Sequence, residues 1–347
     1  MKTQAAILVE TGKPLVMAEL DIPALKQGQV LVEIAYSGAC GTQVMEVRGD
    51  KGEDKWVPHC LGHEGTGFVV DIGAGVTRAK PGDAVVLSWI KGGGIEAGGC
   101  VYAWDGKRVN AGGVTTFQRH AVVSENRLTL VPAGLPLDVA ILLGCAAPTG
   151  MGAVFNVLAV RPGQSIAIFG TGGIGLNSCM AAAFAGAMPI IGIDPNAARR
   201  ALALSHGATH ALDPTAGDVI AEIKQIVGAA GVDVAVEATG LPAVMAQAVG
   251  ATCVQGGKTV IIGNARAGQT LSLNPTLFNQ GKSMLGTWGG DSVPDRDYGR
   301  FGRLLASDRF DFRGLLSRPY ALAETDQALQ DLADGRVGRP LIDMRLA

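Results

Sequence analysis

The glycine-rich hexapeptide GTGGIG at residues 170–175 restricts the fold of this chain more than any other feature. It follows a β-type segment, SIAIF at 165–169, and precedes a run of small apolar residues that extends to about residue 187. Such a motif arises easily by chance in a chain with 50 glycines, so its value depends on what flanks it. The order strand, glycine loop, helix is that of dinucleotide-binding βαβ units. It predicts a nucleotide-binding α/β domain.

The chain continues this alternation beyond the loop. Further strands are predicted at 190–194, 232–237 and 259–263, and helices at 197–206, 218–227 and 243–253. Strands that alternate with helices form a parallel sheet with right-handed crossovers. Residues 148–287 are therefore predicted to form a doubly wound, Rossmann-type α/β domain.

The glycine loop and the strand after it contain the predicted cofactor contacts. The loop residues expected to approach the pyrophosphate are Gly170, Gly172, Gly173, Ile174 and Gly175. Asp194 ends the next strand and is expected to bind the adenosine ribose hydroxyls, where it would repel the 2′-phosphate of NADP. Arg199, five residues later, could accommodate a phosphate and is a further candidate. The pattern predicts NAD as cofactor and leaves NADP as the less favoured alternative.

The first part of the chain has a different rhythm. Short β segments at 29–36, 67–72 and 84–88 are bounded by glycine or proline, and no helix-period stretch is evident in the first 90 residues. Residues 1–147 are predicted to form an irregular β domain. Residues 288–347 contain two amphipathic helical patches and a final strand near 341–344, and we expect them to return to the first domain.

Composition and charge exclude several functional classes. The net charge is −2 and no block of Lys or Arg occurs, so nothing indicates a nucleic-acid partner. The most apolar window, 179–193, is interrupted by Gly and Pro and is shorter than the ~20 residues of a membrane helix, so no membrane association is predicted. The N-terminus lacks the apolar core and cleavage site of a signal peptide. We expect a cytoplasmic enzyme with a small-molecule substrate.

A second motif, HCLGHEGTG at 59–67, places four potential metal ligands within six positions. GACGTQ at 38–43 and GCAAPTGMG at 144–152 each present one cysteine among small residues. An open catalytic zinc site takes three protein ligands and leaves the fourth position for water or substrate. The residue types leave the choice open among Cys40, His59, Cys60, His63, Glu64, Cys100, His120 and Cys145.

These three stretches together resemble the medium-chain, zinc-dependent alcohol dehydrogenase superfamily, and the likeness extends over essentially the whole chain. Its motif GHEGxGxVxxxGxxV is present at residues 62–76. The resemblance implies a GroES-like β catalytic domain beside the Rossmann domain. It also implies that Glu64 supports the metal and that the ligands of a catalytic zinc are Cys40, His63 and Cys145.

The chain departs from the family in two places. Many relatives hold a structural zinc with four cysteines after the GHE motif, but residues 91–113 contain only Cys100. We therefore expect one catalytic zinc per chain and no structural zinc. Gln43 occupies a position that is commonly Asp, and Met45 stands where some relatives have a relay histidine. Thr42 remains as the expected first acceptor of the alcohol proton.

The resemblance implies further residues and an assembly. Arg339, in GRVGRP at 335–340, corresponds to an arginine that contacts the pyrophosphate. Trp89 and Phe117 correspond to walls of the substrate pocket. The family also implies a homodimer or homotetramer.

The implied activity is interconversion of an alcohol and its aldehyde or ketone by hydride transfer to or from NAD. A metal-free, NADPH-dependent quinone or enone reductase of the same superfamily is the alternative, although such enzymes generally lack the Cys40, His63 and Cys145 set. A non-catalytic nucleotide sensor or structural protein is a third possibility. The complete ligand set and Thr42 argue against it.

Overall fold

The computed structural model describes residues 1–346 and divides the chain into two compact units. Unit 1 comprises Met1–Cys145, Val293–Asp308 and the C-terminal segment from Phe312, and unit 2 comprises Ala146–Ser292 with Arg309–Asp311. The main boundaries thus fall at 145/146 and 292/293, where the sequence predicted 147/148 and 287/288. The short return of 309–311 to unit 2 was not anticipated.

The strands are β1 (Lys2–Leu8), β2 (Val16–Asp21), β3 (Gln29–Gly38), β4 (His59–Cys60), β5 (Glu64–Ile72), β6 (Ala84–Ser88), β7 (Val101–Trp104), β8 (Lys107–Asn110), β9 (His120–Ser124), β10 (Leu128–Leu130), β11 (Ile166–Phe169), β12 (Ile190–Ile193), β13 (His210–Leu212), β14 (Val234–Glu237), β15 (Lys258–Ile261), β16 (Ser283–Gly286), β17 (Leu316–Tyr320) and β18 (Arg339–Asp343). The α-helices are α1 (Gly41–Arg48), α2 (Leu137–Ala140), α3 (Ala146–Gly152), α4 (Gly173–Ala185), α5 (Ala197–Ser205), α6 (Val219–Val227), α7 (Pro242–Ala251), α8 (Thr276–Asn279), α9 (Pro294–Leu305) and α10 (Thr325–Ala333). One 3₁₀ turn, Ile141–Gly144, leads directly to Cys145.

Unit 1 contains two β structures, and strand β1 of the first lies between their two hydrophobic cores. Strands β1, β2, β7, β8 and β4 close a barrel, and a second sheet has the order β10-β6-β5-β3-β18-β17, with β9 also paired to β3. Successive side chains of a strand point to opposite faces. Accordingly, Ala5 and Ile7 of β1 pack in the barrel core, whereas Ala6 and Leu8 pack in the larger core against β3.

The first 90 residues do contain a helix, α1, which corrects the expectation that they hold none. Helix α1 has eight residues, and only Val44 and Val47 pack against the core of unit 1. Two apolar residues make too short a stripe for periodicity to reveal. The helix ends at Gly49, whose φ of 76° lies in the left-handed region that glycine adopts without strain.

The 91–113 stretch is also more ordered than a glycine-rich loop, because it contains the β7–β8 hairpin of the barrel. The Glu125 carboxylate links the start of this segment to residues 77–78. It accepts hydrogen bonds from the backbone N–H groups of Thr77 (2.6 Å), Arg78 (2.9 Å) and Ile95 (2.7 Å). Cys100 is buried in the barrel core. Hydrogen bonds to one carboxylate and apolar packing therefore organise this segment.

Unit 2 is built on six parallel strands in the order β13-β12-β11-β14-β15-β16. Together with the GroES-like part described below, this confirms the predicted α/β fold class. The glycine loop connects β11 to α4. A β-carbon at Gly175 would lie 1.9 Å from the carbonyl oxygen of Gly170, so only glycine allows this approach.

No single helix within residues 1–346 is both long and apolar enough to cross a bilayer. One bent pair, Leu137–Gly144 with Ala146–Val157, meets the length and composition criteria together.

Candidate active site and metal centre

Cys40, His63 and Cys145 come together inside unit 1. One ligand atom from each lies within 4.8 Å of the others, and the distance from Cys40 Sγ to His63 Nε2 is 3.4 Å. Zinc bonds of about 2.3 Å to sulfur and about 2.0 Å to nitrogen at a tetrahedral angle would separate these two atoms by roughly 3.5 Å. Two thiolates and an imidazole at this spacing fit zinc. The three residues predicted as ligands thus form one cluster.

Three different local structures bring these ligands together. Cys40 immediately precedes α1, and His63 immediately precedes β5. Cys145 follows the 3₁₀ turn Ile141–Gly144 and adopts an uncommon backbone conformation, with φ −154° and ψ −62°. Each ligand therefore lies at the end of an element, where the backbone direction changes and a side chain can project into the site.

Electrostatics favour a bound cation at this cluster. The Cys145 thiol hydrogen-bonds the Cys40 sulfur and lowers the pKa of Cys40 well below its ordinary value. The same sharing, together with burial, raises the pKa of Cys145. Burial by itself lowers the pKa of His63, but the Cys40 thiolate outweighs it and the pKa of His63 is raised. A metal ion bound to both sulfurs would displace the Cys145 thiol proton.

Gln43 contacts two of the three ligand residues. Its Oε1 accepts the backbone N–H of Cys40 at 2.9 Å, and its amide nitrogen contacts His63 Nδ1. A histidine that ligates through Nε2 carries its proton on Nδ1, so with metal bound the Gln43 amide would turn its oxygen to that proton and give up the Cys40 N–H. The sequence marked Gln43 only as a departure from the family. Its place in the first turn after a ligand cysteine was the available signal.

Glu64 and Arg339 form a buried ion pair beside the cluster. Burial raises the pKa of Glu64, and Arg339 opposes that rise. Within residues 1–346, Oε1 of Glu64 has no hydrogen-bond partner. Gly38 leaves space for the Glu64 carboxylate and Gly144 for its Cβ, since a β-carbon at either position would lie within 2.7 Å of a Glu64 atom. The structure thus places Arg339 on Glu64, and its expected pyrophosphate contact stays a prediction.

The remaining predicted residues of unit 1 differ in their surroundings. Thr42 is half-buried in the first turn of α1. The Trp89 ring meets His63 edge to face, with 6.5 Å between centroids and 74° between planes. Phe117, by contrast, is 0% exposed and belongs to the hydrophobic core. The expectation that Phe117 lines a substrate pocket is corrected, because it has no free surface to offer.

In unit 2 the residues predicted to bind cofactor surround the first turn of α4. Gly170 has φ 87°, and Gly172 precedes the helix, whose first N–H groups form an anion-binding end. The carboxylate of Asp194 accepts the backbone N–H groups of Thr171 and Asn196, both at 2.9 Å. Asp194 is therefore joined directly to the glycine loop.

Two residues near this loop were missed from the sequence. Arg200, and not its neighbour Arg199, hydrogen-bonds the backbone carbonyl of Asp194 at 2.8 Å. Glu237, at the end of β14, accepts the N–H of Thr239 at 2.7 Å, and a β-carbon at Gly170 would meet the Thr239 methyl at 2.8 Å. Arg200 thus holds the backbone at Asp194, and Glu237 holds the backbone at Thr239 beside Gly170.

Comparisons with known families agree with this geometry. Residues 26–133 match the family described as alcohol dehydrogenase GroES-like domain, and residues 173–307 match the zinc-binding dehydrogenase family. The first range lies in unit 1, and the second covers most of unit 2 and all of α9.

Individual relatives match along nearly the whole chain. Geraniol dehydrogenase from Castellaniella defragrans is 35% identical over 99% of this chain and 98% of its own. The crystal structure of an alcohol dehydrogenase zinc-binding domain protein from Burkholderia ambifaria superposes with a TM-score of 0.92 at 31% identity, covering 100% of both chains. That of benzyl alcohol dehydrogenase from Acinetobacter calcoaceticus gives 0.90 at 30% identity over 99% of each chain. The chain belongs to the medium-chain, zinc-dependent alcohol dehydrogenase superfamily.

Proposed function

We propose that this protein interconverts an alcohol and its aldehyde or ketone by hydride transfer to or from NAD, with one catalytic zinc ion per chain. The observation that carries the proposal is the Cys40, His63 and Cys145 cluster, in a chain that also contains a complete nucleotide loop. Neither feature alone would suffice, because buried cysteines and glycine loops both occur without catalysis.

The ligand residues suit a zinc ion that acts on an alcohol. When bound, zinc supplies Lewis acidity that makes an alcohol more acidic. Cys40, His63 and Cys145 would hold the ion, the two cysteines would offset its charge, and Glu64 lies beside the cluster with one oxygen on Arg339. Three protein ligands are the number typical of open catalytic zinc sites.

Thr42 is the proposed first acceptor of the alcohol proton, through its Oγ1. It follows Cys40 by two residues and lies in the first turn of the helix that this ligand precedes. Trp89, whose edge meets the His63 ring, offers an apolar wall. We propose an alcohol with an apolar body as the substrate, in keeping with relatives that are named for geraniol and benzyl alcohol.

NAD is the proposed cofactor, and its role is to exchange hydride with the substrate carbon. Asp194 supports NAD over NADP, because a carboxylate that already holds the loop N–H of Thr171 would repel a 2′-phosphate. As partners we propose small alcohols and carbonyl compounds, together with further copies of the chain in a homodimer or homotetramer.

Metal analysis and turnover test the proposal together. We expect purified protein to contain about one zinc per chain and to reduce NAD with geraniol or benzyl alcohol. Cys145→Ala should lose the metal and the activity, whereas Cys253→Ala, outside the cluster, should keep both. Protein that carries no metal and instead reduces quinones with NADPH would overturn the proposal in favour of the reductase.

A further inference from the structure

A series of hydrogen bonds leads from helix α9 to the backbone of Gly144, the residue before Cys145. The hydroxyl of Tyr298 donates to Ser88 Oγ at 2.7 Å, and Ser88 Oγ donates to the carbonyl oxygen of Gly144 at 2.8 Å. The backbone N–H of Ile90 also donates to Ser88 Oγ, at 3.0 Å. Gly144 immediately precedes Cys145, so this series ends on the peptide group that carries a proposed metal ligand.

This series of hydrogen bonds is buried, and the Ser88 hydroxyl at its centre makes all three hydrogen bonds that a serine hydroxyl can make. Tyr298 is 0% exposed and Ser88 is 2% exposed. A serine hydroxyl can accept two hydrogen bonds and donate one. Ser88 accepts from Tyr298 and Ile90, so its own proton is directed to Gly144. Burial raises the pKa of Tyr298, which keeps its hydroxyl protonated and therefore a donor.

Ser88 also belongs to the sheet that carries another ligand. In the antiparallel pair of β5 and β6, Ser88 lies opposite Glu64, the residue after His63. The hydrogen bond from Ser88 to Gly144 therefore ties the segment before Cys145 to the strand pair that positions His63. A side chain at residue 144 could not provide this link, because a β-carbon there would lie 2.7 Å from Glu64 Cβ and from the carbonyl oxygen of Leu87.

The backbone of Cys145 needs such a restraint. Its φ and ψ of −154° and −62° lie outside the regular helical and extended regions. A residue held in a sparsely populated conformation keeps it only when the surroundings enforce it. The hydrogen bond to the preceding carbonyl fixes one side of the Cys145 backbone and thereby the direction of its sulfur.

We propose that Ser88 and Tyr298 are positioning residues for the metal centre, which hold the peptide before Cys145 so that its sulfur completes the site with Cys40 and His63. Ser88 acts directly, and Tyr298 acts through Ser88. The proposal rests on the proposed zinc site and adds two residues that contact neither metal nor substrate.

Metal affinity and the spectrum of the cobalt-substituted protein provide the test. Zinc affinity is measured by competition with a chromophoric chelator, and Co²⁺ reports the ligand geometry through its visible and sulfur charge-transfer bands. Partners behind metal ligands typically change affinity by 10–100-fold. We expect Ser88→Ala to weaken zinc binding about 10-fold and to shift the cobalt bands, with Tyr298→Phe changing both in the same direction by less.

A double variant and a matched control separate positioning from general stability. Because Tyr298 acts through Ser88, Ser88→Ala/Tyr298→Phe should bind zinc no more weakly than Ser88→Ala alone. Tyr320→Phe removes another buried tyrosine hydroxyl, one that bonds Asp331 at 2.7 Å, and should leave affinity and spectrum unchanged. If Ser88→Ala does not fold, the comparison of Tyr298→Phe with Tyr320→Phe decides.

The two proposals fail in different ways. Wild-type affinity and cobalt bands in Ser88→Ala and Tyr298→Phe would overturn the positioning role while leaving the metal site intact. A wild-type protein that takes up neither zinc nor cobalt would overturn the metal site itself, and the positioning role with it.

Discussion

The Arg339 guanidinium is paired with the Glu64 carboxylate in the interior of unit 1, where the two side chains are 5% and 0% exposed. The pair joins β18, near the C-terminus, to the first residue of β5, directly after the ligand His63. A buried ion pair contributes little net stability, yet removing one member leaves an uncompensated charge. Arg339 therefore offsets the negative charge of Glu64 beside the Cys40, His63 and Cys145 cluster.

Removing Arg339 should destabilise the protein. We expect Arg339→Met to lower the free energy of unfolding by about 3–5 kcal/mol, because Glu64 then loses its partner in a buried site. Urea unfolding followed by circular dichroism measures the change. Arg336→Met is the control, since that side chain is 57% exposed in its pairs with Asp331 and Asp334 and should matter little. Equal effects of the two substitutions would contradict this account.

Gln43 should control how His63 binds metal. Gln43→Leu removes the acceptor for the Cys40 N–H and the amide group that contacts His63 Nδ1, so we expect zinc affinity to fall about 10- to 100-fold. Gln43→Glu keeps an acceptor of the same reach and should retain most of the affinity. Chelator competition on both variants makes the comparison. Unchanged affinity in Gln43→Leu would show that the amide does not orient the imidazole.

Asp194 should determine the choice of dinucleotide. A hydrogen bond to a charged group is worth about 1.5–3 kcal/mol, so Asp194→Ala should weaken NAD binding by roughly 10- to 100-fold. The affinity for NADP should fall less, because the variant no longer repels a 2′-phosphate. Calorimetric titration with each dinucleotide gives the ratio of the two affinities. Asp213→Ala, which removes another carboxylate near Arg200, is the control and should leave that ratio as it is.

The pH dependence of stability should reveal the Glu125 carboxylate. Burial by itself raises the pKa of Glu125, but the N–H groups of Thr77, Ile95 and Arg78 outweigh it and hold the pKa below its ordinary 4.5. A lowered folded pKa means that the stabilisation is complete above about pH 4.5 and is lost as pH falls through the folded pKa.

The matching substitution is Glu125→Gln, which cannot ionise. At pH 7 it should lower the free energy of unfolding by about 1–3 kcal/mol, since one of the three N–H groups loses its acceptor. The difference between wild type and variant in the free energy of unfolding should become smaller as the pH drops below 4.5. Thermal melts at pH 7, 5 and 4 measure it, with the exposed Glu33→Gln as a control for the loss of one negative charge. A difference that does not depend on pH would refute the assignment.

Much of the architecture was predictable because it depends on local rules. Short β-type runs bounded by turn residues indicated the strands, and the confirmed α/β fold follows from strands and helices in alternation. The short helix α1 escaped detection because only Val44 and Val47 mark its buried face. Phe117 was misassigned because an aromatic residue reads the same in a core as in a pocket.

The glycine loop, most of the order of elements and the residue types of the Cys-His-Cys cluster could be read from the sequence, since they depend on backbone angles, periodicity and residue chemistry, which are local properties. Which side chains support the cluster depends on the three-dimensional packing. Gln43 meets His63 across 20 residues, Tyr298 meets Ser88 across 210, and Arg339 meets Glu64 across 275. Such contacts depend on how distant strands and helices pack, and no local pattern encodes that packing.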